Sequence, residues 1–144
     1  MPKISCLAAA IITSALTLAA GSAMAETIIN VVEDGEGGGA MSLKLDPANV
    51  SAGSVTFQVK NNAVAEEHEM VVVKLKSPDQ KIPFVKSKHR VDERKLKSLG
   101  EVSDLKPGEA GTLKVDLKPG TYLVLCNIRE HYEAGMATKL TVTP

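Results

Sequence analysis

Aromatic side chains are scarce in this chain of 144 residues: tryptophan is absent, and phenylalanine and tyrosine occur twice each. Surfaces that bind single-stranded nucleic acid by stacking bases on aromatic rings need more than that. Seventeen basic residues balance seventeen acidic ones, so no overall field favours a polyanionic partner, and no nucleic-acid partner is expected. Histidine occurs three times and cysteine twice. One cysteine, Cys6, lies in an N-terminal stretch of separate character, which leaves Cys126 alone in the remainder and rules out a disulfide within it.

That N-terminal stretch reads as an export signal. Lys3 is the only charge before Glu26, the run from Leu7 to Ala20 is apolar, and Ala23-Met24-Ala25 closes the segment with small residues. These features predict a signal peptide, residues 1–25, cleaved after Ala25. A membrane anchor is the competing reading, since residues 4–25 carry no charge. The Ala-, Ser- and Thr-rich composition and short apolar centre argue against it, so no stable membrane insertion is expected. Cys6 precedes the apolar run and is not placed for lipid attachment at the cleavage point.

Residues 26–144 are enough for one domain whose core does not depend on disulfides. A lone cysteine in an exported protein is open to oxidation unless something occupies it. A bound metal is one occupant; burial as a small apolar side chain is the other.

What is present is a succession of short alternating segments. Met41, Leu43 and Leu45 alternate with polar residues, as do Val55, Phe57 and Val59, then Leu113, Val115 and Leu117, then Leu140 and Val142. A period of two marks strands with one buried face. Thr27–Val32, Met70–Leu75 and Thr121–Cys126 are apolar on both faces, as expected of central strands or strands covered by a loop. Gly and Pro turns punctuate the runs, among them Lys106-Pro107-Gly108 and Lys118-Pro119-Gly120. Seven short strands so punctuated predict an all-β fold, an antiparallel β-sandwich with Greek-key links.

One stretch departs from this pattern. Residues 77–104 hold Pro78 and Pro83, then a segment in which Asp92 is placed to cap a short helix. Leu96 and Leu99 would share a face of it, and Gly100 would end it. An excursion with one or two helical turns is expected there. Residues 74–106 also carry ten Lys or Arg against five acids. A solvated basic face is the default reading, with steering of an acidic partner as the sharper one.

Chemistry concentrates in residues 126–136, Cys-Asn-Ile-Arg-Glu-His-Tyr-Glu-Ala-Gly-Met. A strand delivers Cys126, four residues lead to His131, and four more lead to Met136. His68 stands far upstream at the head of another apolar strand. Singly, each has an ordinary reading: a buried cysteine, a hydrogen-bonded histidine, a packed methionine. Together a thiolate, two imidazoles and a thioether suit copper in an electron-transfer site, with trigonal His₂Cys and an axial Met. Zinc is the first competitor, but its structural sites use four strong Cys or His ligands. A nucleophilic Cys126 is the second, though no oxyanion-hole loop or orienting Asn/Asp motif accompanies it. His89 lies among Lys86, Lys88 and Arg90, which repel a cation, and no metal role is expected for it.

On these residues the chain resembles the cupredoxins, the small blue (type 1) copper proteins. The block from Gly120 through Cys126, His131 and Met136 matches the family's C-terminal copper loop, and its Cys-x4-His-x4-Met spacing resembles the rusticyanin and sulfocyanin type. Val55-x-Phe57-x-Val59-x-Asn61 followed by His68-Glu69 resembles the segment of the family's first histidine. The resemblance spans nearly all of residues 26–144. It implies a Greek-key sandwich of seven or eight strands with one copper near one end, held by His68, Cys126 and His131 with Met136 axial.

It also implies a monomeric, non-enzymatic periplasmic carrier of single electrons between redox proteins, such as a cytochrome or a copper enzyme. A copper carrier or storage protein would use the same ligands and remains the alternative. Three histidines and one domain leave no room for a second, catalytic copper. Related loops often have Pro-Gly before the second histidine, where this chain has Arg129-Glu130. That loss predicts a looser loop, with two charges beside the metal's exposed edge. Glu66, Glu67 and Glu69 crowd His68 and are expected to favour Cu(II) over Cu(I).

Overall fold

A computed structural model describes residues 26–144. The expected signal peptide, residues 1–25, lies outside the described residues. The strands, in chain order, are β1 (Thr27–Asp34), β2 (Ser42–Asp46), β3 (Asn49–Ser51), β4 (Gly53–Asn61), β5 (His68–Lys74), β6 (Phe84–Val85), β7 (Arg90–Val91), β8 (Lys97–Leu105), β9 (Ala110–Leu117), β10 (Gly120–Leu125) and β11 (Ala137–Thr143). One sheet has the order β2-β1-β4-β9 and the other β3-β11-β10-β5-β8; β6 and β7 form a separate two-stranded ribbon.

The two larger sheets form a sandwich, as the alternation predicts. Ile29 and Val31 of β1, Val55, Phe57 and Val59 of β4, Val72 of β5, Val124 of β10 and Leu140 of β11 meet in one buried cluster. Tyr122 joins it; its hydroxyl donates to the Lys118 carbonyl at 2.7 Å and accepts from the Lys118 amide at 3.1 Å. A buried phenol is thereby satisfied by the turn that opens its own strand. Most neighbours are antiparallel, but β1 with β4 and β3 with β11 run parallel. The sheets are therefore mixed, a departure from the purely antiparallel expectation that follows from Greek-key returns laying non-sequential strands side by side.

The doubly apolar strands β5 and β10 are covered on their outer face. Val71, Val73, Leu123 and Leu125 pack there with Val91, and Ile82, Phe84, Leu96 and Tyr132 close over them. The excursion that follows β5 supplies most of that cover. Strand β1 differs: it is central in its sheet, but its outer face stays open and Ile28 is 47% exposed.

The excursion holds short helical turns, as expected, but they do not extend into a helix reaching Gly100. Short 3₁₀ turns occupy Lys86–Lys88 and Glu93–Lys95, and the chain then enters β8. Asp92 stands at the N-cap of the second turn but makes no side-chain capping bond; its carboxylate accepts from Arg94 Nε at 2.9 Å. Leu96 packs on the outer cluster and Leu99 on the main core, so the two do not share a face. Gly100 lies inside β8 at φ +152°, beside a register shift against β5, and a Cβ there would stand 2.8 Å from the Leu113 side chain. Pairing with β5 outweighs the weak strand propensity of this polar segment.

Candidate metal centre

Three strand ends and three loops build one end of the sandwich. Leu125 of β10 lies opposite both Val71 of β5 and Ala137 of β11. That register places His68 at the start of β5, Cys126 just past β10 and Met136 just before β11. The ladder continues one step past the strands, with the Cys126 amide donating to the Met136 carbonyl at 3.0 Å. Between them the chain coils: His131 N–H donates to Ile128, Ala134 to Glu130, Gly135 to Tyr132 and Met136 to His131.

Asn61, at the end of β4, ties the other elements in. Its amide nitrogen donates to the carbonyls of Leu105 at 2.8 Å and Glu66 at 2.9 Å, while its oxygen accepts from Ala63. The 35–41 loop joins the group through the Glu36 carboxylate, which accepts from the amides of Val64 and Ala65. Met41 N–H donates to Ala134 on the opposite side. Gly35 permits this approach: at φ +127°, a Cβ would stand 2.7 Å from Met41 Cα.

The donor atoms converge. His68 Nδ1 is 3.1 Å from His131 Nδ1, which is 3.4 Å from Cys126 Sγ. Among the described residues these three form the one group of His, Cys, Asp and Glu donors lying within 4.8 Å of one another. His68 Nε2 lies 3.3 Å from the Gly35 carbonyl. Donation there fixes the tautomer and leaves the Nδ1 lone pair facing the cluster. Met136 is fully buried and packs with Cys126 and Met41. His131 is 5% exposed, whereas His68 and Cys126 have no exposure.

Electrostatics agree with an intended cation. Burial lowers the pKa of His68, against upward pulls from Glu36, Glu66 and Asp34. Burial, and next the neighbouring His68, lower that of His131. Both shifts favour the neutral, ligating imidazole. Burial pushes the Cys126 thiol up to about 12, despite donation from the amides of Glu69 and Ile128. A thiolate here needs a compensating positive charge, which a metal ion supplies.

The donor set fits copper: one thiolate, two imidazoles sharing a focus, and a buried thioether beside the sulfur. Residues 29–143 match the family model for copper-binding proteins of the plastocyanin/azurin family. The chain belongs to this family. It is a cupredoxin with a single type 1 copper site, and the donor cluster has the composition to hold that copper.

Solved structures agree with the fold. An auracyanin from the photosynthetic bacterium Roseiflexus castenholzii is 25% identical, with 82% of this chain and 97% of that one covered at a TM-score of 0.57. Auracyanin A from Chloroflexus aurantiacus is 20% identical, covering 83% and 100% at 0.57. Rusticyanin from Thiobacillus ferrooxidans is 18% identical, covering 82% and 77% at 0.56. No curated protein matches this cupredoxin in sequence.

The surroundings of the site agree with some sequence expectations and depart from others. The charges of Arg129 and Glu130 pair with each other at 3.2 Å and partly cancel. The loop they occupy is extensively hydrogen-bonded rather than loose. Of the acids near His68, Glu66 accepts from Gly37 N–H, whereas Glu69 turns toward the Asn127 amide. His89 lies outside the donor group and pairs with Glu133 at 2.8 Å.

Glu33 belongs to no motif in the sequence. It shares the inward face of β1 with Ile29 and Val31, has no exposure, and neither carboxyl oxygen has a hydrogen-bond partner among the described residues. Burial first, and the Glu69 charge second, raise its pKa to about 8. The period-two parity of β1 was the available signal, because it puts residue 33 on the same face as 29 and 31.

Proposed function

We propose that this cupredoxin is an exported, monomeric carrier of single electrons, in which His68, Cys126 and His131 are the strong ligands and Met136 the weak axial one. The observation that carries the reading is the convergence of two Nδ1 atoms and one Sγ in a buried, hydrogen-bonded pocket. Copper, when bound, supplies a one-electron couple between its cupric and cuprous states.

The residues around the site are suited to keeping one geometry through that couple. The β5–β10–β11 register holds His68 and Cys126, Gly35 fixes the His68 tautomer, and the Glu69 amide donates to Cys126 Sγ at 3.4 Å. His131 is the least buried of the strong ligands and offers the edge nearest a partner. Val64, 88% exposed, with exposed Ala65 and half-buried Ala134, supplies small apolar contacts on loops of the same end. A weak, quickly dissociating contact with a cytochrome or copper enzyme suits a patch of that size. None of the described helices is long and apolar enough to cross a membrane. Residues 1–25 would direct the chain to the periplasm as a cleaved signal.

The test is to load residues 26–144 with Cu(II) and record visible and electron-paramagnetic spectra. An intense thiolate-to-copper band is expected, and a colourless copper complex would overturn the reading. Near-complete burial of the strong ligands favours retention over delivery. Transfer of copper to a competing acceptor without redox exchange would instead identify a copper carrier.

A further inference from the structure

The basic excursion and the copper loop are joined by an unusual density of specific contacts. Asn127, the residue after Cys126, reads the Val91 backbone in both directions: its Oδ1 accepts from Val91 N–H at 2.7 Å and its Nδ2 donates to the Val91 carbonyl at 3.0 Å. The same Nδ2 donates to Glu93 Oε1 at 2.6 Å. Farther along the loop, Glu130 N–H donates to the His89 carbonyl at 2.9 Å. The His89 ring meets the Glu133 carboxylate at 2.8 Å, and Phe84 stacks on Tyr132 with centroids 5.9 Å apart.

Two features show that this joint is built rather than incidental. His89 and Glu130 both hold positive φ, at 52° and 73°, a region non-glycine residues rarely occupy. They meet each other through the Glu130–His89 backbone bond, so two uncommon conformations are held by one contact. The excursion is itself anchored, through the outer cluster on β5 and β10 and through the Asp92 amide, which donates to Pro83 at 2.7 Å.

We propose that Phe84–Lys95 is a clamp that holds the His131 arm of the copper loop in its ligating conformation, with Asn127 and His89 as its positioning residues. It does from outside what a Pro-Gly pair would do from within: Arg129 lacks a fixed φ, Glu130 occupies a backbone region suited to glycine, and the excursion supplies the missing restraint. Through that restraint the arm keeps one shape with or without metal, and copper leaves slowly. The inference rests on the ligand assignment above only for its copper arm.

The test compares wild type with His89→Asn/Asn127→Ala and with His89→Asn alone. Asparagine tolerates the left-handed backbone at 89, and the single variant keeps all Asn127 bonds in case the double variant does not fold. In the metal-free protein, amide exchange at Glu130 is expected to accelerate about tenfold in the double variant and a few-fold in the single one, while core amides of β4 and β10 are unchanged. In the copper-loaded protein, release to a chelator is expected to accelerate about tenfold in the double variant, the scale for residues that orient metal ligands, while the thiolate band persists. Unchanged Glu130 exchange and unchanged release in a folded variant would overturn the clamp and leave the excursion as a cover for β5 and β10. A wild type that binds no copper would overturn the ligand assignment but leave the exchange comparison a valid test.

Discussion

Replacing Glu33 by glutamine removes a buried ionisable group while keeping its shape. The folded chain holds the Glu33 proton up to about pH 8, whereas an unfolded chain releases it near the ordinary value of 4.5. Between those limits unfolding releases a proton, so stability falls as pH rises, at about 1.4 kcal/mol per pH unit. The full penalty is present above pH 8 and absent below 4.5. Over that window it amounts to about 5 kcal/mol, an upper figure because local relaxation and water entry would reduce it. Even half of that is a large share of a small domain's stability.

The assay is urea unfolding of the metal-free protein at constant ionic strength from pH 5 to 9. Wild type should lose stability steadily toward pH 8, and Glu33→Gln should lack that component and become the more stable of the two at pH 8. At pH 5 the order should reverse or close, since the amide gains nothing from the missing titration and is itself unpartnered. Parallel curves for the two proteins would show that Glu33 titrates normally and would refute the argument.

Copper affinity of Glu33→Gln should rise about tenfold per pH unit between pH 7 and 9, because one Cys126 proton must leave while His68 and His131 are already neutral; competition titrations with a chelator measure this, and a pH-independent affinity would contradict it. Cys126→Ala should abolish the visible band, whereas Met136→Leu should keep it and raise the potential; an intensely coloured Cys126→Ala would sink the ligand assignment. Electron transfer to an acidic partner should slow at high salt if exposed Lys86, Lys88 and Arg90 steer encounter, with Arg94 and Lys95 contributing less because both pair with Asp92; salt-independent rates would remove that role. Ala134→Lys should slow electron exchange with a partner while copper affinity and spectrum stay as in wild type, and equal exchange rates would take Ala134 out of the contact surface.

How much of this was legible in the sequence depended on the range of the signal. Strands β2, β4, β9 and β11 announced themselves because alternation is local and each has one buried face. Strand β8 did not: Ser98, Gly100, Glu101 and Ser103 have little strand preference, and the segment becomes a strand by pairing with β5. The same absence of long-range information turned Leu96 and Leu99 into one face of a helix, although they serve two different clusters. Cys126, His131 and Met136 were readable from spacing on one loop. His68 was readable less directly, as the remaining imidazole at the head of an apolar strand able to pair across the sandwich, a weaker signal that the family resemblance reinforced.

The groups that hold the donors in place were least legible, and the reason is physical. Metal donors belong to a few residue types, whereas their supports act through backbone atoms that every residue carries. The carbonyls of Gly35, His89 and Val91 and the amides of Glu69 and Glu130 contact the site or its loop without any demand on their side chains. Asn127 is the informative exception, since only a short side chain with both a donor and an acceptor can bond to both sides of the Val91 peptide backbone. A polar residue directly after the cysteine of such a loop is therefore a readable sign that another segment docks there. In this chain that segment is the excursion, which the sequence marks by its prolines, its break from alternation and its charge, none of which names its docking site.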